Sequence, residues 1–390
     1  MKTGMKRSLI CAAAAFMCVA AVGGGATITA GAEEVELSCK AAYLMDEVSG
    51  VPLYAKNEET RLPIASMCKI MTLLLAFEAV DSGELTYEEE ITVSERAAGM
   101  GGSQVFLGAG LTYRADELLK SIAVCSANDS CVAIAERIAG SEGAFCAEMN
   151  ERAKELGAEN TLFANCTGLP KEPQYSCAKD VALMLRALHK YEKYHEYSHI
   201  WLEDFVHPDG RTTQMTNTNK LIRSYQGCAG GKTGFTNEAG FCLAAAAQRG
   251  GTQVISVVIG ADSSQNRFSA VSSLFDYAFD NFESVTYLKA GDAAEREIAV
   301  RGSRVKNMAA TAEHTLSAIS RRGTEENYAL EYELAEEVRA PICRGDVLGY
   351  AVLMRDGVEV DRSALLAAED APEFTWWEAY REGARHWHQG

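Results

Sequence analysis

Short apolar runs at two places in the chain predict two β-hairpins. Ala41–Met45 and Pro52–Lys56 lie on either side of a glycine-containing turn, which is typical of two antiparallel strands. Phe241–Gln248 and Val254–Ile259 lie on either side of a second turn, which contains Gly250-Gly251. Because one hairpin lies at each end of residues 41–259, we expect an antiparallel sheet that joins the two ends of this segment.

The segment between the hairpins predicts helices. The sequence IASMCKIMTLLLAFEAV, after Pro63, is apolar on nearly every helical face, and such a helix belongs in the middle of a domain. Amphipathic stretches follow at Ala115–Cys125, Asp129–Ala139, Ala144–Leu156 and Ala178–His189. After the second hairpin, Ser269–Phe282 predicts a closing helix. The pattern therefore predicts an α/β (α+β) domain in which helices flank an antiparallel sheet.

The rest of the chain predicts a different architecture. From about Leu288 the pattern shows only short strands, at Glu297–Val300, Tyr328–Leu334 and Val347–Met354, which indicates a small β-rich domain. The final segment predicts an amphipathic helix with one mainly aromatic face, made of Phe374, Trp377, Tyr380, Ala384 and Trp387.

The N-terminal segment predicts a secretory signal peptide. Lys2, Lys6 and Arg7 precede the apolar run Leu9–Val22, and Ala30-Gly31-Ala32 offers small residues for cleavage. An uncleaved N-terminal anchor is the alternative. We expect a signal peptide at residues 1–32, the α/β domain at 33–286, the β-rich domain at 287–368 and the C-terminal helix at 369–390.

Composition excludes some classes of function. The formal net charge of -17 argues against a nucleic-acid partner, because phosphate binding requires a basic surface. Of twelve cysteines, Cys11 and Cys18 lie in the predicted signal peptide, and the others show no C-x-x-C pairing. Most of them sit in apolar runs, which favours buried free thiols over a disulfide framework. The sequence has neither zinc-ligand spacing nor HExxH, so we expect no metal and no cofactor.

Three short motifs could carry acyl-transfer chemistry, and each also occurs a second time. The candidates are Ser66-Met67-Cys68-Lys69 (S-x-x-K), Ser126-Ala127-Asn128 (S-x-N) and Lys232-Thr233-Gly234. The second copies are Ser303-Arg304-Val305-Lys306, Ser264-Gln265-Asn266 and Lys2-Thr3-Gly4. No motif is specific alone, so the context of each copy must decide between them.

Ser66 and Lys69 lie one helical turn apart at the start of the buried helix, so the amine can reach the hydroxyl. A lysine can act as the base for a serine if burial lowers its pKa. The alternative for S-x-x-K is an N-cap serine with a solvated lysine. That alternative suits Ser303, which lies in a polar stretch.

The other two motifs also have structural alternatives. Ser126 and Asn128 fall between two predicted helices, where either could simply be an N-cap, and Ser264-Gln265-Asn266 is interpreted as the cap of the last helix. Lys232 follows a glycine pair and opens a predicted strand, beside which a peptide could lie. The alternative there is a glycine-rich turn with an exposed lysine.

The set of motifs resembles that of the penicillin-interacting serine acyltransferases. The flanking blocks LPIASMCKIMT, SANDSCVAIAE, GAENTLFANCTGL, TNTNKLI and GGKTGFTNEAGF are similar to those of the low-molecular-mass D-alanyl-D-alanine carboxypeptidases, which trim peptidoglycan. The second copies occur in reversed order and lack these flanks. The resemblance covers residues 37–285 strongly and the β-rich part more weakly, and it implies a serine β-lactamase/transpeptidase-like fold.

The resemblance implies roles in catalysis for four residues. Ser66 would attack the carbonyl between the last two D-alanines of a peptidoglycan stem, with Lys69 as the base. Ser126 would relay the proton, and Asn128 would help to hold the substrate. Water would then release the acyl-enzyme, whereas β-lactams would acylate Ser66 as covalent inhibitors.

The resemblance also implies roles in substrate binding. Lys232 and Thr233 would bind the terminal carboxylate, and Gly234 would let a backbone approach closely. The backbone N–H groups of Ser66 and Phe235 would form the oxyanion hole. Arg267 matches an arginine that the family often carries on its last helix.

Two other functions remain open on the sequence alone. One is a β-lactamase of the same superfamily, although the chain lacks the E-x-x-L-N element of one large class and has Glu159-Asn160-Thr161-Leu162 instead. The other is a wall-binding protein that has lost catalysis, which the complete motif set argues against.

The predicted location is the extracellular face of the cytoplasmic membrane or the cell wall. Phe374, Trp377, Tyr380 and Trp387 suggest peripheral membrane contact. Residues 369–390 hold five acidic side chains but only two arginines, which weakens attraction to anionic lipid. Docking of this helix onto the β-rich domain is the alternative.

Overall fold

The computed structural model describes residues 35–324, 326–378 and 380. The predicted signal peptide, with its copy of Lys-Thr-Gly, lies outside these residues, as does Trp387.

The described helices follow one another mainly in the first two thirds of the chain. They are α1 (Lys69–Asp81), α2 (Glu95–Ala98), α3 (Ala115–Cys125), α4 (Asn128–Ala139), α5 (Glu142–Glu155), α6 (Ala178–Leu188), α7 (Glu192–Ser198), α8 (Leu221–Ser224) and α9 (Ser264–Asn281). A 3₁₀ turn, Ala65–Cys68, leads directly into α1.

The strands occur before, between and after these helices. They are β1 (Ala41–Asp46), β2 (Pro52–Lys56), β3 (Glu90–Thr92), β4 (Thr112–Arg114), β5 (Leu202–Val206), β6 (Thr212–Thr216), β7 (Cys228–Thr236), β8 (Gly240–Arg249), β9 (Thr252–Ala261), β10 (Phe282–Leu288), β11 (Ile298–Arg301), β12 (Asn307–Met308), β13 (Ala310–Ala312), β14 (Leu316–Arg321), β15 (Tyr328–Leu334), β16 (Glu337–Arg339), β17 (Val347–Arg355) and β18 (Val358–Ala367).

A five-stranded antiparallel sheet joins the two ends of the first domain. Its strand order is β2-β1-β9-β8-β7. Strand β1 pairs with β9 from Ala41 opposite Ile259 to Asp46 opposite Val254. The predicted sheet is therefore confirmed, and it places β7 at one edge.

Helices cover both faces of this sheet. Helix α6 packs on β1 and β9 and against α1, whereas α9 packs on β8 and β9. Helix α1 is buried along most of its length, as its lack of a polar face predicts. Ile255 and Val257 of β9 belong to the core that includes α1. The hydrophobic effect thus holds the start of α1 beneath the sheet, close to β7.

The last part of the described chain is β-rich, as predicted. It contains a four-stranded sheet of order β13-β18-β17-β15 and smaller ladders that include β10-β14 and β12-β11-β16. These strands share an apolar cluster that includes Leu288, Ile298, Met308 and Leu365. Ser303 of the second S-x-x-K copy is fully buried in a bend between β11 and β12. Its predicted role as the N-cap of a helix is therefore wrong.

Helix α9 begins five residues before the predicted start. Ser263 is its N-cap, and Ser263 Oγ accepts a hydrogen bond from the backbone N of Asn266 at 3.1 Å. The second S-x-N copy therefore lies in the first turn of α9. The prediction that this segment caps the last helix was correct, but the capping residue is Ser263 rather than Ser264.

The described residues add three general facts. All ten cysteines outside the predicted signal peptide are free thiols, and Cys343 is the exposed one among them. Among the described helices, none is long and apolar enough to span a bilayer. In the same part of the chain, no group of three or more His, Cys, Asp or Glu side chains could hold a metal ion.

Candidate active site

The predicted nucleophile lies on the 3₁₀ turn that precedes α1. Ser66 is the second residue of this turn, between buried Ala65 and buried Met67. Ala65 has a φ of 47°, in the left-handed region that L-residues other than glycine rarely adopt. The chain thus enters α1 through a strained backbone that is held in place by packing on both sides.

Lys69 is the first residue of α1 and is fully buried. Its Nζ lies 3.0 Å from Ser66 Oγ and donates a hydrogen bond to the carbonyl oxygen of Thr167. Burial lowers the pKa of Lys69 from its ordinary value of 10.5, because the charged ammonium loses its hydration. The pair therefore has the distance and the protonation tendency that a serine and its base require.

Ser126 lies at the C-terminal end of α3 with a φ of 67°. It is buried, and its Oγ accepts a hydrogen bond from Lys232 Nζ at 2.8 Å. Neither Ser126 nor Asn128 caps α4, because Ala127 is the N-cap residue and no side-chain capping bond is formed there. The capping alternative for this motif is therefore wrong.

Asn128 is the first residue of α4 and is held by the loop that follows α2. Its Nδ2 donates to the Gly101 carbonyl at 2.7 Å, and its backbone N donates to the Ser103 carbonyl at 2.7 Å. Its Oδ1 is buried without a protein partner. Because a buried amide oxygen normally accepts a hydrogen bond, this oxygen is available to a donor on a bound ligand.

Lys232 lies in the middle of β7 and is 1% exposed. Burial, and to a smaller extent the nearby positive charge of Lys69, together lower its pKa to about 7. The glycine pair Gly230-Gly231 belongs to the strand and does not precede it. A glycine-rich turn with an exposed lysine, the alternative for this motif, is thus wrong.

The remainder of the Lys-Thr-Gly motif lies against the turn that carries Ser66. A Cβ atom added to Gly234 would lie 2.6 Å from the Ile64 carbonyl oxygen and 3.2 Å from the Ser66 backbone N. Only glycine allows this approach of β7 to the 3₁₀ turn. Phe235 follows with its side chain 51% exposed, at the end of the strand beside the site.

Three residues at the site were not predicted from the motifs. Thr167 and Gly168 lie on the loop before α6. The Thr167 carbonyl accepts a hydrogen bond from Lys69 Nζ, and Gly168 packs against the backbone of Ala65. Thr218 lies beside β7, where its Oγ1 accepts a hydrogen bond from Thr233 at 2.8 Å. The blocks GAENTLFANCTGL and TNTNKLI contain these residues, but neither block contains a recognised catalytic motif.

Arg267 of α9 lies behind the same strand. Its Nη1 donates to the carbonyls of Gly234 and Cys242, at 3.1 and 3.4 Å. Its guanidinium thus binds the backbone of β7 and β8 at the position of Gly234, which supports the edge of the sheet that faces Ser66.

Comparison with known proteins identifies the same two parts of the chain. Residues 27–263 match the family described as D-alanyl-D-alanine carboxypeptidase, and residues 282–373 match the C-terminal domain of penicillin-binding protein 5. The chain is 39% identical over 339 residues to D-alanyl-D-alanine carboxypeptidase DacF of Bacillus subtilis, a match that covers 86% of this chain and 87% of DacF.

Two further relatives support this result. D-alanyl-D-alanine carboxypeptidase DacC of Escherichia coli is 31% identical, over 87% of this chain and 86% of DacC. The crystal structure of penicillin binding protein 5 from Haemophilus influenzae superposes with a TM-score of 0.69 at 27% identity. That superposition covers 88% of this chain and all of the other one.

Proposed function

The chain belongs to the D-alanyl-D-alanine carboxypeptidase family, and we propose that Ser66 is the nucleophile with which it removes the terminal D-alanine from peptidoglycan stems. A serine acyl-enzyme and acylation by β-lactams are general properties of this family. The observation that carries the proposal is the buried Lys69 amine, 3.0 Å from Ser66 Oγ.

In the first step, the neutral Lys69 amine takes the proton of Ser66 as Oγ attacks the carbonyl carbon between the two D-alanines. One N–H of the amine is already bound to the Thr167 carbonyl, so the lone pair is free to face Ser66. The C=O π electrons move to the oxygen, and the backbone N–H groups of Ser66 and Phe235 stabilise the oxyanion.

In the second step, the oxyanion re-forms the carbonyl and the C–N bond breaks. The departing D-alanine nitrogen needs a proton, and we assign its delivery to Ser126, which is hydrogen-bonded to Lys232. Ser126 Oγ gives its proton to the nitrogen and takes up in exchange the proton that Lys69 removed from Ser66, so that Lys69 is neutral again. Lys232 keeps its proton and orients the Ser126 hydroxyl, since its Nζ donates to Ser126 Oγ at 2.8 Å. In deacylation, neutral Lys69 takes a proton from a water molecule that attacks the ester carbonyl, and it returns this proton to Ser66 Oγ as the bond between Oγ and the acyl carbon breaks.

Substrate binding relies on charge and on the edge of the sheet. In this proposal Lys232 and Thr233 bind the terminal carboxylate, and the ionic contact favours the protonated form of Lys232. The unpartnered Oδ1 of Asn128 can accept an amide N–H from the substrate. The peptide would lie along β7, the edge strand of the sheet, as an added strand.

The decisive test combines two measurements on the same preparation. Mass spectrometry of penicillin-treated protein should show one acyl adduct on Ser66, and diacetyl-Lys-D-Ala-D-Ala should release D-alanine. Ser66→Ala should abolish both signals. An adduct that persists in Ser66→Ala would refute Ser66 as the nucleophile. Ser303, the serine of the second S-x-x-K copy, would then be the next residue to test as the site of the adduct.

The same preparation separates the two alternative functions. Rapid turnover of nitrocefin with an intact diacetyl-Lys-D-Ala-D-Ala would indicate a β-lactamase. Failure of a fluorescent penicillin to label the wild-type protein would instead indicate a wall-binding protein without catalysis. We do not expect a β-lactamase, because the chain lacks the E-x-x-L-N element of one large class. We do not expect a protein without catalysis, because Lys69 Nζ lies 3.0 Å from Ser66 Oγ.

We further propose that the protein acts outside the cytoplasmic membrane and touches the membrane through its C-terminal segment. Trp376, Trp377 and Tyr380 are 72%, 65% and 62% exposed, and such clusters of amphipathic aromatic rings favour the membrane interface. The docking alternative also has support, because the same segment begins on the β-rich part. The Phe374 backbone N donates to the Gly302 carbonyl at 2.7 Å.

The docking corrects one predicted member of the aromatic face. Phe374 lies under Lys306, whose Nζ is 5.1 Å from the centre of its ring, and Arg304 pairs with Glu378. Phe374 therefore packs on the β-rich part, and Trp376 joins Trp377 and Tyr380 on the exposed side.

A further inference from the structure

The Thr233 hydroxyl has a second hydroxyl beside it. Thr233 Oγ1 donates to Thr218 Oγ1 at 2.8 Å, although 15 residues separate the two threonines in the sequence. Thr233 is buried, whereas Thr218 is partly exposed. The pair therefore lies at the boundary between β7 and the space in which the substrate carboxylate is proposed to bind.

Thr218 is held rigidly by its own segment. Its backbone N donates to the Val124 carbonyl at 3.2 Å, two residues before Ser126. The neighbouring Asn217 is buried, and its Nδ2 donates to the carbonyls of Ser198 and Ile200, both at 2.9 Å. The Thr218 hydroxyl is therefore fixed between the end of α3 and β7.

Asn219, on the other side of Thr218, strengthens this arrangement. It is 1% exposed, its backbone N donates to Asn217 Oδ1 at 2.9 Å, and its own Oδ1 accepts from the Leu221 backbone N at 3.1 Å. Two buried asparagines thus hold a partly exposed threonine. A surface hydroxyl that is positioned this firmly is pre-organised for a ligand.

A carboxylate suits this pair of hydroxyls. Each threonine has one O–H donor, and a carboxylate is acceptor-only with two oxygens. Without a ligand, the Thr233 hydroxyl donates its hydrogen bond to Thr218 Oγ1. With a carboxylate present, both hydroxyls can rotate so that each donates to a carboxylate oxygen. One neutral hydrogen bond is then exchanged for two charge-assisted ones, which are stronger.

We propose that Thr218 is a second substrate-binding hydroxyl that, with Thr233, recognises the terminal carboxylate of the D-Ala-D-Ala substrate. This inference rests on the proposed function and adds to it a residue outside the three motifs. The contact is the same in the ground state and in the transition state, so its loss should raise KM and leave kcat nearly unchanged.

The test compares three variants by steady-state release of D-alanine from diacetyl-Lys-D-Ala-D-Ala. Thr218→Val removes the hydroxyl and keeps the branched shape, so KM should rise about tenfold with kcat within about twofold. Thr218→Ser keeps the hydroxyl and should have a KM within about threefold of wild type. Thr216→Val, the same change at an exposed position two residues away, should have no effect.

The double variant Thr218→Val/Thr233→Val separates direct contact from an indirect effect. If both hydroxyls bind the carboxylate, the KM of the double variant should exceed that of either single variant. A double variant no worse than Thr233→Val would show that Thr218 acts only through Thr233, and this would overturn the proposal. An unchanged KM in Thr218→Val, or a drop in kcat that serine does not restore, would overturn it too.

The outcome for the proposed function is read separately. If the wild-type protein releases no D-alanine and forms no penicillin adduct, the proposed function itself has failed. If the wild-type protein is active and acylated but Thr218→Val behaves like Thr216→Val, only the role of Thr218 has failed.

Discussion

Substitution of Gly168 by alanine should disable the site without removing any catalytic group. Gly168 has a φ of +79°, and a Cβ atom added there would lie 2.0 Å from the Ala65 carbonyl oxygen, 2.4 Å from its carbon and 2.9 Å from the Ser66 backbone N. All three are backbone atoms, so no side chain can rotate away. Ordinary contact begins at 3.4 Å, so the backbone before Ser66 must retreat by roughly 1.4 Å. Because a misplacement of about 1 Å can cost about 10² in rate, acylation should slow about 100-fold or more.

A matched control is available in the same domain. Gly157 has a φ of +76°, but an added Cβ would meet nothing within 4 Å. Gly157→Ala therefore carries the same left-handed strain, roughly 1–2 kcal/mol, without the clash. The second-order rate constant for labelling by a fluorescent penicillin should be unchanged in Gly157→Ala, and both variants should melt a few degrees below wild type.

The reasoning would be refuted if Gly168→Ala were folded and acylated within about threefold of Gly157→Ala, far from the 100-fold loss expected. Should Gly168→Ala fail to fold, Gly234→Ala tests the same idea from the other side. Its added Cβ would lie 2.6 Å from the Ile64 carbonyl oxygen, and β7 would have to move away from the turn that carries Ser66.

Three further outcomes are expected. The acylation rate should rise with pH, with a midpoint below pH 10.5, because the base must be neutral and burial lowers the pKa of Lys69 from that value. Stopped-flow labelling at a series of pH values measures this midpoint. A midpoint at or above 10.5 would contradict this role of burial. Ser126→Ala should slow D-alanine release by about 10² or more through loss of the proton relay while the melting temperature stays near that of wild type, and an unchanged rate would exclude the relay. A chain that ends at Glu373 should release D-alanine normally but bind liposomes less than the full chain, and equal binding would exclude membrane contact through the exposed aromatic residues.

A strand was predicted where apolar residues alternate regularly or where turn residues mark its ends. Strand β15 has the predicted bounds, Tyr328–Leu334, because it alternates regularly between less and more exposed positions. Strand β10 was not predicted, since α9 passes into it at Phe282 without an intervening glycine or proline. Strand β18 was missed because its first half, which includes Asp361 and Arg362, is mostly exposed and polar, so its apolar period is incomplete.

The sequence predicted those residues of the candidate site that contribute a side chain with a recognisable chemical role. Ser66, Lys69, Ser126 and Lys232 were predicted because serine and lysine have recognisable roles at a fixed spacing, and the structure pairs Lys69 with Ser66 and Lys232 with Ser126. Thr167 was not found, because its contribution is a backbone carbonyl, and every residue has one. Its position follows from tertiary contacts that span 98 residues, which no local pattern reveals.

The loop that carries Thr167 gives the buried Lys69 amine an uncharged acceptor, which is compatible with a pKa lowered by burial. Cys68 Sγ donates to the Asn165 carbonyl at 3.2 Å, and Thr72 Oγ1 donates to the Cys166 carbonyl at 2.7 Å. Residues on either side of Lys69 in the sequence therefore position the acceptor that binds its amine. A carboxylate in the place of the Thr167 carbonyl would favour the charged ammonium and raise the pKa of Lys69. An uncharged carbonyl satisfies one N–H with less bias toward the charged form, so burial can keep the amine as a base.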